Sequence, residues 1–243
     1  MANVFLPFVL LVAIVSGATA SVVGFGIGSI LTPLFGLRYG MATAIALVAV
    51  PHAIGTALRC WRLRAAIDRG VLIRFGLLSA AGGFAGAMLY SRLGSKALTE
   101  ILGSLLLVTA ATQLSGWNAK WHPKGPVVGA LGLASGFFGG VAGNQGGLRA
   151  AAMTAFALTP AAFVASSTAT GLMVDAGRLP IYLWQNGRAL AELWMPMTVA
   201  SAGVLIGTLL GERVLLGLPR QAYARIVAGA IGVLGGWLIL SVR

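Results

Sequence analysis

Arg149 is the residue on which chemistry is most sharply posed. It closes the stretch Ser135-Gly-Phe-Phe-Gly-Gly-Val-Ala-Gly143-Asn144-Gln145-Gly146-Gly147-Leu148-Arg149 and is the only charge in it. An arginine four residues after Gln145 shares a helical face with it. The planar fork of guanidinium donors matches the oxygens of an oxyanion. Asn144 and Gln145 add amide donors at the same place. A cation in an apolar segment is costly, so a role in binding is the leading reading. Snorkelling or a structural ion pair is the alternative.

Three further residues can carry or balance charge. Asp175 and Arg178 lie three apart and share a helical face, which reads first as a structural ion pair. In the alternative, Arg178 touches substrate and Asp175 carries a proton. His52, beside Pro51, is a side chain that titrates near neutral pH, against the plainer reading of a satisfied buried histidine.

The glycines that precede Arg149 occur twice. Ser16-Gly-Ala-Thr-Ala-Ser-Val-Val-Gly24-Phe25-Gly26-Ile27-Gly28 repeats the plan 119 residues earlier, with Gly24 matching Gly143 and Gly28 matching Gly147. Each cluster lies inside an apolar run, which predicts a helix broken within a membrane. Irregular backbone is tolerated there where it is buried in protein or lines a cavity. The half-helix after a break begins with unpaired N–H groups and the positive end of its dipole, a ready anion site. The expected substrate-binding set is Gly24, Phe25, Gly26, Gly143, Asn144, Gln145, Gly146, Arg149 and Arg178, with Asp175 and His52 as ion-coupling candidates.

The elements that must position these residues are membrane helices. Of 243 residues 58% are hydrophobic and 9% charged, against about 25% charged in soluble domains. Apolar runs long enough to span a bilayer recur along the chain. Segments 4–23 and 25–36 flank the first cluster and read as short of a full span; 41–58, 73–91 and 98–115 follow. The second half repeats this with 126–142, a short segment to Leu158, a turn at Thr159-Pro160, then 161–184, 193–211 and 222–241. Gly82, Gly86, Leu89 and Arg92 match Gly203, Gly207, Leu210 and Arg213 at an offset of 121. The expected fold is therefore an all-α integral membrane protein of two homologous halves, 1–118 and 119–243. Each half opens with a glycine-broken re-entrant or hairpin element, followed by three transmembrane helices.

The net charge of +12 reflects arginines and lysines gathered in short loops, as the positive-inside bias requires, and not a nucleic-acid partner. If each broken segment returns to its own side, Arg59, Arg62, Arg64, Arg69, Arg74, Lys120, Lys124, Arg213, Arg220 and Arg225 fall on one side. Arg38, Arg92, Lys96, Arg188 and Arg243 fall on the other. That ten-to-five split favours an inverted repeat with the basic side cytoplasmic and both termini outside. Ala18-Thr19-Ala20 resembles a signal cleavage site, but no basic region precedes it and the pattern recurs at mid-chain, so the segment reads as a membrane element. Cys60 is a lone cysteine and permits no internal disulfide. No phosphate-binding Gly-Lys-Ser/Thr loop, metal-ligand spacing or nucleophile–base pair is evident, so neither an enzyme nor a cofactor or metal site is expected.

At its two glycine clusters the sequence resembles the sulfite exporter TauE/SafE family of membrane permeases, also called the TSUP group. The resemblance covers nearly the whole chain in length, duplicated halves and the Ser-Gly…Gly-x-Gly-x-Gly stretch that opens each half. The second copy, from Gly139 to Arg149, is similar to a variant that replaces the commoner Gly-Ile-Gly-Gly-Gly. The resemblance implies a secondary transporter of small sulfur-containing anions such as sulfite, sulfoacetate or thiosulfate, in a bacterial inner membrane. A permease for other small organic anions, or a non-transporting scaffold or sensor subunit, is the alternative. The expected partners are a small anion, the lipid bilayer and a second copy of the chain in a homodimer.

Overall fold

A computed structural model of the chain describes residues 2–116, 122–214 and 220–242, with side chains described for 4–116, 122–211 and 223–242. The aromatic loop expected at Trp117 to Trp121, the boundary between the halves at 118, and Arg243 lie outside the described residues, as do the side chains of Arg213 and Arg220. The described chain is helical without strands. Helix α1 spans Ala2–Val23, α2 Ile27–Tyr39 and α3 Met41–Leu63, which a 3-10 turn extends over Arg64–Ala66. Helix α4 spans Arg69–Tyr90 with a π-turn at Leu72–Gly76, and α5 spans Ser95–Leu114. The second half supplies α6 Pro126–Ala142, α7 Gly146–Met153, α8 Pro160–Glu192, α9 Trp194–Val214 and α10 Arg220–Ser241. Five helices thus answer five in chain order among the described residues.

Among the described residues six helices are long and apolar enough to cross a bilayer: the stretches Val4–Val23, Met41–Ala66, Arg69–Tyr90, Ser95–Leu114, Trp194–Gly211 and Tyr223–Ser241. Three expectations change. The first segment does not fall short of a span, since α1 has 22 residues, about 33 Å at 1.5 Å per residue. Helix α3 does not end at residue 58; it runs on to Leu63, which turns Arg59 into the protein at 2% exposure. The segment expected over 161–184 is one 33-residue helix that continues through Pro180 and places Arg188 on α8, not in a loop. Its start is as read: Thr159 is the N-cap, its hydroxyl accepts from the Ala162 N–H at 3.2 Å, and Pro160 fills the first turn, where no backbone donor is needed.

The halves interlock by exchange. Helix α1 packs most extensively on α9 and α4 on α6, while α5 meets its counterpart α10 and α3 meets its counterpart α8. Helix α3 also packs on α9, as α8 packs on α4. Swapping the halves maps this set of pairings onto itself. The crossings are close because glycines face backbone. A Cβ at Gly82 would stand 2.8 Å from the Phe137 amide nitrogen, at Gly140 2.7 Å from that of Ala87, and at Gly211 2.7 Å from the Ala18 Cα. These are the small-residue contacts by which membrane helices approach without a hydrophobic drive between them. Ser79 Oγ, donating to the Gly132 carbonyl at 2.8 Å, pins α4 to α6. Two equivalent crossings show the exchange in reverse: Gly55 of α3 accommodates Val204 of α9, whereas Gly83 of α4 accommodates Val174 of α8. Glycine and valine have traded places between the halves.

Candidate functional site

Both helix breaks form where the glycines predicted them. Helix α1 ends at Val23, and Gly24 and Gly26 take φ of 88° and 137° before α2 begins at Ile27. Helix α6 ends at Ala142, and Gly143 takes a left-handed φ of 70°, its N–H bonding the Gly139 carbonyl at 3.1 Å. The copies then diverge. At the position of Gly26, Gln145 has φ of −135°, which an L side chain adopts freely. The second break can therefore carry side chains where the first needs bare backbone. Asn144 and Gln145 use that freedom, and both are buried, at 4% and 5% exposure.

The two breaks lie against each other. A Cβ at Gly146, the first residue of α7, would sit 2.6 Å from Phe25 Cβ and Cγ, so the Phe25 side chain covers the start of that helix. Gly28 is held against the Gly143 carbonyl. Ser29 Oγ approaches Asn144 Oδ1 at 3.4 Å, and Arg149 Nη2 reaches the Gly24 carbonyl at 3.5 Å. Gly24, Phe25, Gly26, Gly143, Asn144, Gln145, Gly146 and Arg149 thus form one constellation. Helix α8 flanks it: Ser167 Oγ lies 3.7 Å from a Cβ built at Gly24, and Gly171 leaves room for Arg149 Nη1, 3.0 Å from its own built Cβ.

Polar demand here exceeds supply. Asn144 Oδ1 accepts the Gly146 N–H at 3.3 Å, which caps α7, but Asn144 Nδ2 has no partner. Both ends of the Gln145 amide are unpaired, as are Nε and Nη1 of Arg149. Helix α7 has no other side-chain cap at its N-terminus. Buried donors left unmade in this way cost about 1–3 kcal/mol each and are rare in native structures. The void beside Asn144 and Gln145, lined also by Thr109 and Leu148, holds only about 10 Å³. Larger grooves, about 620 Å³ beside Arg74 and Lys124 and about 360 Å³ beside Lys96, lie at helix ends and include none of the expected site residues.

The other candidates form a second network one step away. Asp175, at 1% exposure, accepts from His52 Nδ1 at 2.7 Å on one oxygen and from Arg178 Nε at 2.9 Å and Nη2 at 2.8 Å on the other. The remaining arginine nitrogen, Nη1, donates to the Gly139 carbonyl at 2.6 Å. Tyr182 donates to the carbonyl of Gly140. Helix α8 therefore grips the last turn of α6 immediately before the break. Arg178 also stands 3.8 Å from a Cβ built at Gly143, which links the network to the constellation.

Sequence reasoning missed Arg59, which it placed in the basic loop. Arg59 is buried on α3, its Nη2 donating to Thr56 Oγ1 at 3.2 Å. That pair repeats Arg178 and Asp175, because 59 and 178, like 56 and 175, differ by the 119 residues that relate the glycine clusters. The offset was the signal that could have found it.

Among the described residues, six helices long and apolar enough to cross a bilayer, two helix breaks and buried basic side chains define a multi-pass membrane protein. The model of the family described as "Sulfite exporter TauE/SafE" matches residues 9–238, nearly the whole chain, and the protein belongs to that family. Members are transporters and not enzymes, and membership implies a membrane transporter of sulfur anions. No curated protein and no solved structure matches the chain.

Proposed function

We propose that this protein carries a small sulfur-containing anion, such as sulfite, sulfoacetate or thiosulfate, across a bacterial inner membrane by alternating access around the paired breaks. The observation that carries the reading is the second break, where Arg149 Nε and Nη1, Asn144 Nδ2 and Gln145 Nε2 are buried donors without partners. An oxyanion of several acceptor oxygens satisfies such a set, and the positive end of α7 adds to it. The void beside Asn144 and Gln145, at about 10 Å³, is at the lower limit for one water, and on this reading substrate entry there requires the breaks to part.

The same reading makes the halves inverted repeats. The charge bias supports it, standing at nine against five once the buried Arg59 is left out of the count. The basic side is then cytoplasmic and both termini extracytoplasmic. Specificity belongs mainly to the second break, since the first offers backbone and the Phe25 ring.

The test is Arg149→Met. Removing a buried cation whose one hydrogen bond is 3.5 Å long leaves the unliganded protein as stable as the wild type or more so. The stabilisation that sulfite, thiosulfate or sulfoacetate confers in thermal unfolding of the purified protein, which grows with the logarithm of anion concentration, is lost in the variant. A variant that keeps the anion-dependent shift removes Arg149 from the site.

A further inference from the structure

The anion site leaves one network without a role. His52, Asp175 and Arg178 are joined by bonds of 2.7 to 2.9 Å, and Arg178 continues at 2.6 Å to the Gly139 carbonyl. That carbonyl also accepts the Gly143 N–H at 3.1 Å. A hydrogen-bonded chain therefore runs from a histidine on α3 to the glycine that breaks α6. We infer that anion binding at the second break is linked to the uptake of one proton by the His52–Asp175–Arg178 network, which makes the transporter proton-coupled.

The argument is one of charge in a dry interior. With a neutral imidazole, the carboxylate and the guanidinium sum to zero and Asp175 is the counterion of Arg178. The His52 side chain is 12% exposed while those of Asp175 and Arg178 are at 1% and 2%, so the histidine is where a proton can arrive. Its Nδ1–H stays on Asp175 and the incoming proton takes Nε2. The imidazolium then claims the same carboxylate, and the charge of Arg178, which stands beside Gly143, is left in excess. An anion at the break supplies the missing negative charge. The other charged and titratable groups facing the network are Arg59 on α3, Arg149 on α7 and Tyr182 on α8. Arg149 adds positive charge, so a proton without an anion is disfavoured and the pair of events is favoured together. By reciprocity the anion raises the proton affinity of the network by the factor by which the proton raises anion affinity, on the order of ten-fold for buried charges this close.

This inference rests on the anion site proposed above, and the experiment separates the two. The full-length protein in detergent is titrated with thiosulfate, which does not itself change protonation near neutrality. Calorimetry between pH 6 and 8 in buffers of different ionisation enthalpy counts the protons. The expected result is net proton uptake on binding and an affinity on the order of ten-fold tighter at pH 6 than at pH 8. In His52→Asn, which keeps a donor toward Asp175 and cannot titrate, the proton uptake disappears and the affinity stays at the wild-type pH 8 value. Binding without proton uptake in the wild type overturns the coupling and leaves the anion site standing, and equal uptake in His52→Asn overturns it as well. Absence of thiosulfate binding, together with absence of binding by sulfite and sulfoacetate, removes both.

Discussion

The Asp175 carboxylate ties His52 to Arg178, and its loss has a definite sign. A carboxylate that accepts three donors while 1% exposed is costly to bury, yet removing it alone strands Arg178 as an uncompensated cation. Asp175→Ala is expected to destabilise the protein by about 3–5 kcal/mol, and the double change Asp175→Leu with Arg178→Met to recover most of that, read as denaturant unfolding in detergent. Recovery by the double variant distinguishes a stranded charge from lost packing. At this scale the sequence was most legible where charge is rarest. Arg149, Asp175 and Arg178 are the charges that stand in apolar surroundings, and each is buried. Arg59 was illegible for the opposite reason. It stands with Arg62 and Arg64, and only helical phase distinguishes the arginine that turns inward at 2% exposure from neighbours that face out. Phase depends on where the helix ends, which local composition defines poorly.

The helix breaks depend on single backbone angles. Gly26, with φ of 137°, lies where an L residue is strained, and a Cβ there would also stand 2.8 Å from Thr19 Cγ2. Gly26→Ala is expected to cost about 1–3 kcal/mol in thermal unfolding, whereas Gln145→Gly at the equivalent place relieves no strain and leaves stability nearly unchanged while weakening anion binding. The breaks were legible because clustered glycines inside an apolar run suit neither the interior of a regular helix nor a turn at the water surface. Helix lengths were not. The continuation of α8 past Pro180 to Glu192 runs against a residue that usually stops helices, and packing against α3 and α4 outweighs the local propensity.

For the molecule as a whole, the proposed mechanism makes the breaks the contact that opens during transport. Phe25 and Gly146 come from opposite halves and lie against each other, near enough for a disulfide once the Cβ atoms relax by about 1 Å. The double variant Phe25→Cys and Gly146→Cys, oxidised in proteoliposomes, is expected to stop anion flux, and reduction to restore it. Flux that survives complete cross-linking shows that the breaks need not part. The matching order of helices was legible from the offsets of 119 and 121 residues. How the copies embrace was not, because an offset says which residues are equivalent and nothing about which helix of one half lies on which helix of the other.

The traded glycine and valine bear on that embrace. In the first half both α3 and α4 present glycine at their crossings, through Gly55 and Gly83, and in the second half both α8 and α9 present valine, through Val174 and Val204. Two first halves would face each other across holes, and two second halves would collide. At these two crossings each half is therefore matched to its sister and not to a second copy of itself.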